Sequence, residues 1–339
     1  MLMDPDFLEH LERIDSIGQA LARLAWIGSE ELESVGKVLL DFDSEYWTFT
    51  KYLSLPLYQE LEVLLCQAGG DRCLSQRPRL AVVVPVHKAS DRLLRSALYS
   101  LKSQVGVAIE CLISVDGDKA DLELVRQILA DLGANDDHWK ASVVFSEVNR
   151  GVGMCRNLAL KELTSPWFTF LDDDDIFHPL RCLHGLLLMT LEGVPLIKTS
   201  SSRVSMTQKK IVLINNSLLS CGLNSFMASA HLLTSYGYLA DLRYYEDTEY
   251  MQRLQFFQVP HISSGAVGHY LHTEPHADYV SLASPWRLEV HAIEGHPYLC
   301  GSVIAAASEE CIRYDTDFRR QYKEALSCGL LRCFPSSSI

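Results

Sequence analysis

The run Leu80-Ala-Val-Val-Val-Pro-Val86 constrains the fold more than any other feature. It is apolar without alternation, so it reads as a strand buried on both faces. Strands of that kind belong to parallel sheets covered by helices on either side. The next segments keep to that rule. A helix is predicted over about 91–104, a second buried strand over Glu110–Val115 and a helix over about 121–132. A strand comes next over Ser142–Ser146, then a helix over 153–163 stopped at Ser165-Pro166, and a strand over Trp167–Leu171. Strands alternating with helices of this length give βαβ units, hence an α/β protein with a mainly parallel sheet in an αβα sandwich. Ligands of such sheets lie beyond the carboxyl ends of the strands, which points to Pro85–His87, Asp116 and the aspartates from Asp172.

The flanks read differently. Residues 1–78 hold six Lys/Arg against fourteen Asp/Glu, eight of the chain's thirteen net negative charges. Apolar residues recur at helical spacing from Phe7 to Leu24, Ser29 precedes two acids, and Ser54 with Pro56 opens a helix to Leu65. The expectation is a helical N-terminal extension over 1–78, serving as packing, partner or homo-oligomer surface, then a core domain over 79–280. A helical C-terminal extension over 281–339 completes the division. At 339 residues the chain has room for one such core with appended segments. The net charge of −13 argues against nucleic acid and anionic membranes as partners. No apolar run is long enough for an integral membrane segment, and the N-terminus is acidic where a signal peptide needs bases, so a cytoplasmic location is expected. The ten cysteines form no CxxC pair and read as buried thiols.

Four stretches carry chemistry. Asp172–Asp175 places four like charges at a strand end. In an extended backbone Asp172 and Asp174 share a face, and two carboxylates there suit a hard divalent ion such as Mg²⁺ or Mn²⁺. In Asn149-Arg-Gly-Val-Gly-Met-Cys-Arg-Asn157, two glycines precede a helix whose N-terminus suits a phosphate, with Arg156 in its first turn able to pair with an anion. Glu246-Asp247-Thr248-Glu249 opens a helix predicted to Phe257; acids there favour the helix dipole whatever else they do. His269, His272 and His276 lie close together, and Gly268 and Pro275 predict a loop for them. Each is a solvated or satisfied histidine unless a metal claims it, and His272 is the candidate ligand.

In this order, these motifs resemble the family-2 glycosyltransferases of the Rossmann-like GT-A fold. VVVPVHK is similar to that family's opening strand, VDGD at 115–118 to its VDDGS turn, and NRGVGMCRNLAL at 149–160 to its N-x-G-x-x-x-A-R-N segment. FLDDDDIFHP at 170–179 matches F-L-D-x-D-D-x-x-x-P at each fixed position. Tyr236-Gly237-Tyr238, Glu246-Asp247 and Arg253-Leu254 resemble the G-G-F…E-D…R-L segment. Lys88 stands where the family has Asn, and Leu271 where many members have Arg. The resemblance covers about 80–275.

It implies an inverting, metal-dependent transferase using a nucleotide sugar, UDP-linked. Pro85, His87 and Asp116 would line the nucleotide pocket, Arg156 would sit near the diphosphate or order the aspartates, and Asp172 would reach the ribose or the metal. Asp174 and His272 would hold Mn²⁺ or Mg²⁺, and Asp247 would be the general base. The acceptor is a glycan, lipid-linked intermediate, peptide or small molecule, met by loops at Thr199–Ser205 and Asn215–Phe226. The competing readings are a nucleotidyltransferase, disfavoured by HKASD where a glycine-rich basic loop belongs, and a catalytically inactive nucleotide-sugar-binding or scaffold protein.

Overall fold

The computed structural model describes residues 77–133, 135–205, 210–214, 222–242, 246–273, 286–295 and 299–307, with isolated positions between 57 and 67 and at 208, 217, 219 and 320. The opening strand β1 (Arg79–Val86) is followed by α1 (Asp91–Lys102), β2 (Ala108–Asp116), α2 (Lys119–Leu132), β3 (Trp139–Ser146), α3 (Val152–Leu160) and β4 (Trp167–Phe170). β1 pairs in parallel with β2 and β4, and β2 in parallel with β3. The local order is therefore β3-β2-β1-β4. The chain moves outward through β1, β2 and β3, then returns to the other side of β1. Between the carboxyl ends of β1 and β4 this reversal opens a crevice, the place where parallel sheets bind ligands.

Alternation along β1 divides the core. Leu80, Val82, Val84 and Val86 pack on one face with α1 and α2, and Ala81 and Val83 pack on the other with Ala159, Leu160, Phe168 and Phe170. Because both faces are covered, every residue from Leu80 to Val86 is buried, which explains a run with no polar member. Pairing with β4 ends at Val83↔Phe170, so Pro85 falls where the strand no longer needs an N–H on that side.

The rest of the sheet is mixed. After β5 (Ile176–Phe177) and α4 (Arg181–Glu192) come β6 (Leu196–Ser205), β7 (Lys210–Ile214), a 3₁₀ turn at Leu223–Ser225 and β8 (Phe226–Ser229). The chain continues through α5 (His231–Tyr236), α6 (Glu246–Phe256), β9 (His261–His272), β10 (Trp286–Ala292) and β11 (Leu299–Ala307). β8 joins β4 to β6 antiparallel, β7 lies antiparallel beside β6, and β11 lies parallel to β7 with β10 outside it. β9 runs parallel to β6 and antiparallel to β5.

Three expectations fail here. Residues 286–292 and 299–307 are strands rather than helix. Trp286, Leu288 and Val290 alternate with Arg287, Glu289 and His291, a period of two. Thr199–Ser205 is the second half of β6 rather than a loop; its hydroxyls are satisfied inside, Thr199 Oγ1 donating to Ser225 O at 2.7 Å. His269 and His272 lie on β9 instead of a loop, because Gly268 sits there for space: a Cβ would come within 2.8 Å of Arg181 Cγ. His276, and most of 1–76 and 308–339, lie outside the described residues.

At the described positions between 57 and 67 the chain is helical, and Leu57, Leu61 and Leu64 are buried in the same core face as α1 and α4. Glu60 anchors that segment, with Oε2 3.2 Å from His184 Nε2 and accepting from Ser264 Oγ at 2.7 Å. The His184 hydrogen bond outweighs burial and holds the Glu60 carboxyl below its ordinary range. Cys111, Cys155, Cys182 and Cys300 are buried free thiols. Among the described residues no helix is long and apolar enough to cross a membrane.

Candidate active site

The crevice is assembled from the segments just past the carboxyl end of each parallel strand. Beyond β1, His87 is exposed at the mouth, and its Nδ1 lies 2.8 Å from the carbonyl of Asp116. A carbonyl only accepts, so Nδ1 carries the proton and Nε2 is left to accept from Asn149 Nδ2 at 3.1 Å. The imidazole is thus oriented by the ends of β2 and β3. Lys88 has φ 54°, a left-handed conformation costly for a residue with a Cβ. Asp121, in the first turn of α2, holds it there by accepting from Lys88 N at 2.6 Å and Ala89 N at 3.1 Å.

At the carboxyl end of β2, Asp116 is buried and both its oxygens are used. Oδ1 accepts from Arg150 N at 2.8 Å and Oδ2 from Gly151 N at 2.9 Å. The sequence pattern predicts that the glycine-containing loop before α3 offers its amides to a phosphate. The anion seated against Arg150 and Gly151 is instead the protein's own Asp116, which shapes the loop. Gly117 makes the approach possible: its φ is +86°, and a Cβ there would meet Asn149 N at 2.8 Å.

Beyond β4, the four aspartates do not continue the strand. They form a turn, closed by Asp175 N donating to Asp172 O at 3.2 Å. The expected alternation of an extended chain is lost, and mutual repulsion is relieved by fanning the carboxylates apart. Asp172 accepts from Arg156 Nη2 at 2.7 Å and from Asn224 Nδ2. Asp173 turns toward His87 N, 3.4 Å away. Asp175 points into the protein, taking His272 N at 3.0 Å and His269 Nε2 at 3.0 Å. Burial pushes His269 down to about 3 and, with the Asp172 charge beside it, raises Asp175 well above the ordinary carboxylate range, so this pair is not held by opposite charges. Burial would raise Asp172, but the Arg156 charge and the Asn224 amide outweigh it and keep the carboxyl low. Asp173 has no such cationic partner among the described residues, and burial followed by the charges of Asp174 and Asp172 raises it well above the ordinary range.

Arg156 reaches the opposite wall as well. Its Nη1 donates to Glu246 Oε1 at 2.9 Å, so one buried guanidinium spans Asp172 and the first residue of α6. The neighbouring Asn157 holds Leu239, donating to its carbonyl at 2.8 Å and accepting from its amide at 3.1 Å. Arg253, fully buried on α6, pairs with Glu249 and donates to the carbonyls of Tyr236 and Tyr238 at 2.7 and 2.8 Å. The segment Tyr236–Leu239 and α6 are thereby fixed against α3. α6 runs Glu246–Phe256, and Asp247 is half-buried in its first turn, with Oδ1 accepting from Thr248 N at 2.6 Å.

The donor chemistry of the aspartate turn, all carboxylate oxygen, suits a hard divalent cation. Yet among the described residues no three His, Cys, Asp or Glu side chains converge to enclose an ion. Asp174 and His272 lie at one end of the sheet, linked through Asp175, with no third protein ligand among the described residues. A cation held there would need oxygens of a bound ligand to complete its shell.

The structure joins Pro85, His87, Asp116, Arg156 and Asp172 around one crevice, with Asp247 on the helix that Arg156 ties to it. Asn149, Asp121, Asn224 and Glu246 belong to the same framework, and no sequence argument assigns them a role. Asn149 lies inside the glycine-containing motif, and Glu246 stands beside Asp247. Asp121 and Asn224 give no local signal.

Comparison with known proteins finds similarity over part of the chain. The model of the family described as Glycosyl transferase family 2 matches residues 81–199. Proteins described as uncharacterized glycosyltransferases from Rickettsia prowazekii (strain Madrid E) and Rickettsia typhi (strain ATCC VR-144 / Wilmington) are each 24% identical over 112 residues. That stretch is 33% of this chain, and the chain spans only 32% of the length of either relative. Among solved structures, S. aureus TarS 1–349 in complex with UDP is 20% identical, with a TM-score of 0.46 over 58% of this chain and 61% of that one. A mannosyltransferase from Pyrobaculum calidifontis in complex with GDP-Man and Mn²⁺ is 14% identical, with a TM-score of 0.43 over 70% of this chain and 68% of that one.

Proposed function

With residues 81–199 forming a glycosyltransferase family 2 domain, we propose that this chain moves a sugar from a nucleotide-sugar donor, UDP-linked, to an acceptor hydroxyl with inversion at the anomeric carbon. One observation carries the reading: Arg156 binds Asp172 at the donor crevice and Glu246 at the start of α6, and Asp247, the next residue, lies within electrostatic reach of the same guanidinium. A binding module has no use for that second carboxylate.

The nucleotide lies across the carboxyl ends of β1 and β2, against Pro85 and His87, whose ring is held by Asp116 O and Asn149. Asp116 keeps the 149–151 loop out of the crevice. Asp172, kept ionised by Arg156, faces the ribose side. Asp174 and His272 would hold Mn²⁺ or Mg²⁺, and that ion, when bound, would offset the charge that develops on the leaving group. Asp247 accepts the proton of the acceptor hydroxyl as its oxygen bonds to the anomeric carbon. The bond to the diphosphate breaks on the opposite face, and the nucleoside diphosphate leaves with the electron pair. Such general-base action contributes about 10²–10⁴-fold.

The test is thermal unfolding of the full chain with UDP-, GDP- and dTDP-sugars, with and without Mn²⁺. A ligand at about 100 times its Kd adds about 2.7 kcal/mol, enough to move the midpoint visibly. A shift with one nucleotide that needs Mn²⁺ is the expected result; no shift with any of them overturns the reading. Asp174→Asn should abolish the Mn²⁺ requirement together with binding, and His272→Ala should weaken the Mn²⁺ titration. Asp247→Asn should leave donor binding intact and slow release of nucleoside diphosphate by about 10²–10⁴-fold; undiminished release would remove Asp247 as the base.

A further inference from the structure

We infer that Glu246 is a positioning residue which, through Arg156, makes the placement of Asp247 depend on what occupies the crevice at Asp172. This rests on the glycosyl-transfer reading above and adds a regulation to that site.

The guanidinium is buried, and its two ion pairs are with carboxylates 74 positions apart in sequence, Asp172 at 2.7 Å and Glu246 at 2.9 Å. Its Nε has no hydrogen-bond partner among the described residues, so these two pairs carry its polar contacts. Glu246 is buried too, and burial raises its carboxyl while Arg156 opposes that rise. Its side chain lies on the first turn of α3, where only glycine fits, because a Cβ on Gly153 would come within 2.8 Å of Glu246 Cγ. Asp247 also lies within the electrostatic reach of Arg156. One charge is therefore balanced between the donor side and the helix that carries the base.

A divalent cation and diphosphate arriving at the aspartate turn compete for Asp172. As that attraction weakens, Arg156 is held more strongly by Glu246, and the first turn of α6 tightens around Asp247. Coupling of this kind is reciprocal: whatever fixes α6 strengthens binding at the turn.

Hydrogen exchange on the full chain reads this without an acceptor. The probes are UDP with Mn²⁺ and GDP with Mn²⁺. In the wild type, the nucleotide that binds should slow exchange in peptides covering 172–175 and also in those covering 246–252, by about 5-fold or more. Glu246→Gln keeps the shape and removes the charge; Glu246→Asp keeps the charge and shortens the reach. Both should retain protection at 172–175 and lose it at 246–252, and turnover of the nucleotide sugar should fall in kcat with the donor KM unchanged. If Glu246 only holds α6 in place, the variants lower the unfolding midpoint but α6 still responds to ligand, which overturns the inference. Protection at 172–175 with no response at 246–252 in the wild type overturns it as well, leaving the donor site standing. No protection at 172–175 with either nucleotide removes the donor site and the coupling together.

Discussion

At the scale of single residues, the crevice depends on positions that are costly in isolation. Lys88 adopts φ 54° where the resembling family carries Asn, a residue that tolerates the left-handed region. Lys88→Asn should therefore stabilise the chain by about 1 kcal/mol, read as a higher unfolding midpoint. A fall would mean that the lysine side chain contributes more than its backbone costs. Gly153→Ala places a methyl against Glu246 and should destabilise by about 1–3 kcal/mol in urea titration; a neutral result would show that Glu246 has room to move. Asp116, Asp172 and Arg156 are legible in the sequence because each directly succeeds a strand end or a glycine-containing turn. Asp121 and Asn224 are not. Their importance comes from partners 33 and 52 positions away, and nothing in their own neighbourhood announces it.

Among elements, α6 shows how the wall that carries Asp247 is fixed. Arg253 is fully buried, paired with Glu249, and directs a further nitrogen to two carbonyls of the 236–238 segment. Arg253→Met leaves Glu249 as an uncompensated buried charge and should cost about 3–5 kcal/mol. The double variant Glu249→Met with Arg253→Met should recover part of that, and a double variant no better than the single would place the whole loss in the Tyr236 and Tyr238 carbonyls. The first half of the fold is readable because buried parallel strands and amphipathic helices differ plainly in period. The second half obeys weaker signals. β6 is rich in Ser and Thr that face inward and bond to the 3₁₀ turn, β9 carries glycines in its interior, and β10 alternates over only seven residues. In each case the tertiary partner, not local preference, decides the strand.

For the whole molecule, pH is a sensitive variable because the core buries histidine. Burial, then the neighbouring His184, pushes His178 down to about 3 from its ordinary 6.5. The unfolded chain thus binds a proton between those values that the folded chain refuses, so stability is full above about 6.5 and falls as pH drops toward 3. The unfolding midpoint should decline across that window, and His178→Gln should flatten the decline. An unchanged slope would assign the acid sensitivity to other groups.

The parallel seat of β11 beside β7 also has a consequence in time. β7 is made early, yet the neighbour that covers its edge is translated only after β8, β9 and β10. At about 5–20 residues per second, that edge waits for several seconds on the nascent chain. During synthesis it is an open template for another strand, and the last described strand to emerge is the one that closes it.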